Sequence, residues 1–586
     1  MLKDLDRTSI IIIILCIALI FSWSYIFGPK GLNLIPAQPT ETSQKTVKPE
    51  DLPEKSSPPV DTVNTAKNAP FSPADLPLET AANSKSNYKN IILASPKSLI
   101  EVEVNPNEGA IASVLLRDSF DANQKNKVVL NKNITPGALS FTGGQNEWIL
   151  KKAYAPITAK DNNELTVKRN FEDQSGNNFL IEQTWKLETD YTVDYSVTVY
   201  NLEKKNIKFS EFYVWAGGIP PIENLSGDIA RSEAHRVDML NTESNQISSL
   251  KVEDKKFQNN QEIVVPVRWL SISNKYFTNI LKPLSNDGNF YGGIYTSRKE
   301  QSVIVNGAKK EYYLASAAGI IKNVNLNAEA NATWSFKYYA GPKDIKLIGA
   351  FAPYAKDIMH LAFTSLESIA QWLLYFLIFL KGIVGNYGWA IILLTVIVKL
   401  VFWPITHKSN VSMKKMQKIQ PMVKELREKY KDDKQMVNTK MMELYKKEGV
   451  NPLGGCLPIL VQIPVFFALY WTLDGAIELR HTSFLWANDL TQPDTIGHIF
   501  GLPINPLAIA MSLTMVLQQK LTPTATDPMQ AKMMMLMPVI MLVFLYNLPS
   551  GLTLYWTVSQ IISIIQLMVN VYSDKKEKNK TNLKTA

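Results

Sequence analysis

Six side chains in the last third of this 586-residue chain place polar or cationic chemistry inside apolar surroundings: Thr395, Lys399, Gln462, Gln518, Gln519 and Trp556. Lys399 sets the problem. It is the single charge in the run from Gly388 to Pro404, GWAIILLTVIVKLVFWP. An ammonium at the centre of a bilayer costs about 2.5–3.5 kcal/mol on insertion scales. Two arrangements lower that cost. In one, the lysine stem reaches the interface marked by Trp403 and Pro404, a distance of about 6 Å along a helix axis. In the other, Lys399 lines a wet cavity together with the polar groups of neighbouring spans, and there it would attract an anion. The Thr and Gln side chains serve either a cavity or ordinary hydrogen bonding between helices.

Other chemistries find little support. The two cysteines, Cys16 and Cys456, both lie in apolar runs, so neither a disulfide framework nor a thiolate metal site is available. There is no HExxH, and the five histidines (His235, His360, His407, His481, His498) fall outside the clear spans, which argues against an intramembrane metalloprotease. Ser550, in PSG, has no such company either. No internal repeat suggests a transporter, and no nucleotide site is visible. The expectation is a non-enzymatic protein with no cofactor and no metal.

The elements that must hold these residues are membrane helices. Gly388 to Pro404 spans about 25 Å, close to the hydrocarbon thickness of a bilayer. Four more spans follow: Leu457 to Leu473, Pro506 to Leu521, Met533 to Leu548 and Leu552 to Val571. Together they make a five-helix core over 385–572. Residues 361–384 are apolar but interrupted by Glu367, Gln371 and Lys381. As a span they would put the lysine-rich loop outside, against the positive-inside rule, so they read as an amphipathic helix on the outer surface.

Upstream, Lys3 and Arg7 precede an apolar stretch that makes 1–27 an uncleaved anchor. Residues 28–90, rich in Pro, Ser, Thr, Ala and Lys, read as a disordered tether. From 91 to 342 the period becomes two, as in Tyr191, Val193, Tyr195, Val197 and Val199. That pattern predicts an antiparallel β-sandwich, with Trp185, Trp215, Trp269 and Trp334 in its core rather than in a ligand groove. Segment 409–449 carries about twice as many Lys and Arg as acids and reads as a cytoplasmic helical hairpin. Its methionines, among them Met413, Met416, Met441 and Met442, pack its own seam or offer a soft surface to a partner. The basic tail 573–586 and this hairpin account for much of the net charge of +9, so sequence-specific nucleic-acid binding is not implied. The fold class is therefore a polytopic α-helical membrane protein with six transmembrane helices and a periplasmic all-β sandwich.

Four stretches carry a family resemblance: GNYGWAIILLTVIVKLVFWPIT (385–406), NPLGGCLPILVQIPVFFALY (451–470), LTPTATDPMQAKMM (521–534) and MPVIMLVFLYNLPSGLTLYW (537–556). They resemble the YidC-type membrane protein insertases, and the anchor with a β-sandwich resembles the Gram-negative branch. The resemblance implies a bacterial inner-membrane insertase and chaperone with cytoplasmic termini and a hydrophilic groove open to the cytoplasm and to lipid. It places Lys399 where the family usually has arginine, Trp556 on the groove wall, and Gln518 or Gln519 at a polar groove position. It also implies nascent membrane proteins as clients, received by the hairpin at the cytoplasmic mouth. The Sec translocon, the ribosome and membrane lipid are the further partners it suggests.

Overall fold

The computed structural model describes residues 69–70, 88–121, 124–132, 134, 136–143, 148–219, 236–251, 265–284, 290–293, 299–305, 308–314, 316–361, 364–431, 433–450, 457–521 and 528–585. The anchor 1–27, nearly all of the tether 28–90, His235 and both cysteines lie outside them.

Alternation of side chains builds the soluble domain. In the strand Thr192–Asn201, Val193, Tyr195, Val197 and Val199 are buried while Asp194, Ser196 and Thr198 face outward. It pairs antiparallel with Asn178–Leu187 on one side and Ala330–Pro342 on the other. Val265–Ser273 pairs with Phe277–Pro283 and also with Phe290–Gly293, which leads on to Ala317–Leu326 and Ile207–Gly217. The sheet thus folds over itself. Phe212 and Phe141 from one layer meet Trp334 of the other at ring distances of 5.7 and 6.4 Å. Trp185 and Trp269 are fully buried and Trp215 nearly so, each packed in the domain rather than lining a groove. A smaller antiparallel sheet, Ile91–Ala94, Ile100–Asn105, Ala110–Phe120 and Lys127–Leu130, completes the domain.

The helices are α1 Ile345–Phe351, α2 Thr364–Val384, α3 Tyr387–Lys429, α4 Lys434–Lys447, α5 Leu457–Gly475, α6 Pro506–Leu521, α7 Pro528–Leu545 and α8 Ser550–Thr585. One sequence expectation needs correction. The helix carrying Lys399 does not end at Trp403 and Pro404 but continues as α3 to Lys429, joining the span to the first hairpin helix. A proline removes one backbone donor without forbidding the turns on either side, and from Met413 onward the Met-, Lys- and Gln-rich sequence favours helix. The Thr406 hydroxyl donates to the carbonyls of Phe402 and Trp403 at the proline, 3.2 and 3.0 Å away. Likewise α8 continues through the basic tail.

Three described helices are long and apolar enough to cross a membrane: Leu366–Val384 in α2, α3, and Ser550–Val569 in α8. Length therefore permits α2 to span, and its surface placement rests on charge distribution alone. It packs on α3 and α5 through Ala370, Leu373, Leu374, Leu377 and Leu380, leaving Ile369, Trp372, Phe379 and Ile383 exposed. Two of the three polar residues that interrupt it, Glu367 and Gln371, face the soluble domain's base, while Lys381 is exposed near the Tyr387 ring of α3. Gln371 Nε2 donates to Asp357 Oδ1 (3.0 Å), and Glu367 Oε1 accepts the Leu361 N–H (3.2 Å).

The last turn of α5 and the segment after it seat the soluble domain. Lys275 Nζ donates to Asp474 Oδ1 (3.0 Å), the Arg480 guanidinium lies over the rings of Tyr276 (4.9 Å) and Phe277 (5.4 Å), and Glu478 Oε1 accepts the Ile345 N–H (3.1 Å). A second fastening joins the same segment to α3. Asn386 caps α3 through the Gly388 N–H, and a Cβ at Gly388 would fall 2.0 Å from the Phe484 ring, so only glycine admits that approach.

Burial pushes the Glu478 carboxyl from its ordinary 4.5 up to about 7, against the pull of the backbone N–H groups it accepts from. The seated state keeps a proton that the free carboxyl would lose. Its stabilising contribution is complete below about pH 4.5 and disappears as pH rises through about 7. Hydrogen exchange at the Ile345 amide, corrected for intrinsic rate, is expected to show protection falling between pH 5 and 8, by on the order of 3 kcal/mol. Glu478→Gln keeps an acceptor but cannot ionise, and is expected to flatten that dependence.

Candidate functional site

Lys399 lies twelve residues into α3, about 18 Å from its first turn, and is 9% exposed. Its neighbours Leu400 and Val401 are exposed on the opposite side of the helix, so the ammonium points into the bundle and not toward the apolar surround. Nζ donates to the Ser563 hydroxyl on α8, 2.9 Å away. Ser563 donates in turn to the Ser559 carbonyl (3.0 Å), and Gln462 Nε2 on α5 donates to the Ser559 hydroxyl (3.2 Å). A hydrogen-bonded chain thus links α3, α8 and α5. No carboxylate among the described residues pairs with the ammonium.

Thr395, one turn before Lys399, is fully buried and donates to the Ile391 carbonyl (2.6 Å), so it lines the same face while satisfied by its own helix. Trp556 stands edge-on to Phe466 of α5, with centroids 4.7 Å apart at 85°. Its Nε1 is buried without a hydrogen-bond partner among the described residues, as is Nε2 of Gln566. Such groups are costly in a dry interior and ordinary beside water or a polar guest. Gln518 and Gln519 are half-buried in the last turns of α6, which packs on α7 and α8; the Lys399 to Gln462 chain does not pass through them.

Sequence reasoning missed Ser563 and Gln566. The signal was spacing: Trp556, Ser559, Ser563 and Gln566 recur at intervals of three and four, which puts them on one face of α8. At the other end of α3, the hairpin closes on Ile419 and Val423, both buried, while α4 packs alongside. Met413, Met416 and Met441 are half-buried, and Met442 is exposed, as are Met422 and Met436. Methionines thus contribute to the hairpin's outer surface. A cleft of about 530 Å³ in the soluble domain, lined by Glu101, Glu103, Glu108 and Lys132 among others, lies on the small sheet, apart from Lys399.

Comparison with known proteins covers both halves of the chain. The YidC periplasmic domain family matches residues 97–376, and the 60Kd inner membrane protein family matches residues 379–578. The membrane protein insertase YidC of Pelobacter propionicus is 32% identical over 578 residues, 96% of this chain and 98% of that one. Its counterpart in Nitrosococcus oceani is 32% identical over 558 residues, 93% and 94% of the two chains. A crystal structure of an active YidC insertase with its first transmembrane domain resolved aligns over 83% of this chain and 93% of that one. Its identity is 19% and its TM-score 0.34, so it adds nothing to the sequence match.

A lone buried cation is a poor device for stability, since an apolar side chain of similar length avoids its desolvation. Lys399→Met is therefore expected to leave the thermal midpoint in detergent unchanged or raise it, by up to a few kcal/mol in stability, while impairing function. A clear drop in the midpoint would assign Lys399 a structural role instead.

Proposed function

The chain belongs to the YidC family of membrane protein insertases, and from that premise we propose that Lys399 draws the hydrophilic segment of a client into a polar groove between α3, α5 and α8. An inner-membrane insertase acts on nascent membrane proteins and carries out no covalent chemistry. What remains is how these residues lower the barrier. The observation that carries the reading is the Lys399 ammonium itself, buried, held by a serine and not neutralised by any carboxylate among the described residues.

A client must move a hydrophilic tail, often acidic, across about 30 Å of hydrocarbon. A groove that admits water partway shortens the apolar distance. An ammonium has three donors, and Ser563 occupies one, so a client carboxylate can be received without first breaking a strong ion pair. Removing an internal partner carboxylate would otherwise add its own cost. Once the client's apolar segment partitions into lipid, hydrophobic burial holds it there, and an interior-negative potential moves an acidic tail outward with about 2.3 kcal/mol per charge per 100 mV. Lysine in place of arginine keeps the charge and gives up the planar fork, so attraction rather than bidentate geometry does the selecting.

The remaining assignments belong to the same reading. Six spans, with the 1–27 anchor and a five-helix core, put both termini and the 409–449 hairpin in the cytoplasm and α2 on the outer surface. Met413, Met416, Met441 and Met442 receive clients at the mouth, Thr395, Gln462 and Trp556 line the groove wall, and Gln518 or Gln519 faces it from α6. The basic tail meets ribosomes or anionic lipid, and the periplasmic sandwich meets the Sec translocon, where the protein also acts as a chaperone.

The test uses purified protein in liposomes without translocon, a single-span client with an acidic N-terminal tail, and protease protection as readout. Wild type and Lys399→Arg are expected to insert the client, Lys399→Gln to be slower and Lys399→Glu to fail. Equal insertion by all four would sink the groove mechanism.

A further inference from the structure

Between α5 and α6 the chain forms a two-stranded hairpin, Gly497–Ile499 with Leu502–Ile504, and its tip has the wrong chemistry for water. Phe500 is 101% exposed, and Ile496, Ile499 and Leu502 are each more than half exposed. From Ile496 to Ile504 the only ionisable side chain is His498. The turn is two residues long, with φ of 51° at Phe500 and 80° at Gly501. This is the hairpin turn that asks for Asn or Gly at its first position. A phenylalanine there is strained, and none of the described residues packs against it to offset the strain.

The base, by contrast, is built to hold the ribbon still. The buried Asp494 carboxylate accepts from Trp486 Nε1 (2.9 Å) and from the Leu507 N–H at the start of α6 (2.6 Å). The Tyr546 hydroxyl donates to the Pro503 carbonyl (2.5 Å), Asn505 Nδ2 donates to the Tyr546 carbonyl (2.8 Å), and the Thr495 hydroxyl donates to Asn505 Oδ1 (2.6 Å). A fixed stalk therefore presents an apolar tip.

We propose that this hairpin is a membrane finger, and that Ile496, Ile499, Phe500 and Leu502 insert among phospholipid chains beside the bundle. Continuity favours lipid over a protein. The helix that follows two residues later exposes Ile509, Leu513, Val516 and Leu517, the kind of surface a membrane helix turns to lipid. Trp486 in the same loop and Trp389 in the first turn of α3 are both exposed, and Phe484 stands edge-on to Trp389 at 5.4 Å. Indoles at the end of a span mark the level of the headgroups. The finger hangs from that level, and on the topology proposed above the leaflet is the outer one. Insertion gives the strained, unpacked Phe500 the burial it lacks in the fold alone.

The test uses the full chain in liposomes with Cys16→Ser and Cys456→Ser, and a single added cysteine at Phe500, at Leu502, or at the exposed control position Lys160. Each carries an environment-sensitive fluorophore, with nitroxide-labelled phospholipid as quencher. The expected result is blue-shifted emission and nitroxide quenching at both hairpin positions, and neither at Lys160. Either orientation in the liposome reports, because the tip meets its own leaflet in both, so failure would not reflect on the groove. Water-like emission at Phe500 and Leu502 would overturn the proposal. So would shielding that arises only on adding a client or translocon, which would make the tip a protein-docking surface.

Discussion

The bundle is arranged around a buried ammonium that no carboxylate among the described residues neutralises. Lys399 is costly wherever hydrocarbon surrounds it, and the fold answers with a serine hydroxyl at 2.9 Å rather than a carboxylate. That choice has consequences in both directions. A carboxylate would have settled the charge and closed the site to anions. A hydroxyl supports the ammonium and leaves its charge effective. The neighbouring groups share this unfinished character: Trp556 Nε1 and Gln566 Nε2 are buried with no partner among the described residues. An interior of this kind suits a passing polar guest better than permanent packing.

Polar groups held between helices in this way need rigid surroundings, and contacts at the ends of α3 and α5 supply them. The soluble domain is seated on the end of α5 and the segment after it by Lys275, Tyr276 and Phe277 against Asp474 and Arg480, with Glu478 reaching the first amide of α1. Burial pushes the Lys275 ammonium down, but its partners Tyr276 and Asp474 outweigh that and the net shift is upward. From the same segment Phe484 presses on Gly388 at the start of α3. The helix that carries Lys399 is thus braced at its first turn by the loop that also supports the β domain. α2 closes a third side through its leucine face.

Much of this was legible in the residues. Alternation marked the strand around Val193 to Val199, and a charge within an apolar run marked Lys399 and, with it, Gln462 as a polar companion. What escaped did so for identifiable reasons. Ser563 looks like any hydroxyl in a membrane helix, and only its placement across from Lys399, 164 residues away, gives it a role. Pro404 suggested an end to α3, yet a proline breaks a helix only where its neighbours also give way, and here they do not. The Glu478 contact joins residues 133 apart through a backbone amide, which no side-chain pattern announces. Gln518 and Gln519 were readable as polar residues in a span, but their direction depends on how α6 rolls against α8. The methionines of the hairpin divided between seam and surface because Ile419 and Val423 already fill the seam.

The central claim is that a client's carboxylate meets the Lys399 amine inside the bundle, and a zero-length carbodiimide tests it directly. The reagent activates the carboxylate, the amine displaces the urea, and an amide bond remains that mass spectrometry can place. With an acidic-tail client arrested in liposomes, the crosslink is expected to map to Lys399, to vanish in Lys399→Arg, and to be absent with a neutral tail. Crosslinks confined to the surface lysines of the hairpin, with Lys399 unmodified, would contradict the account.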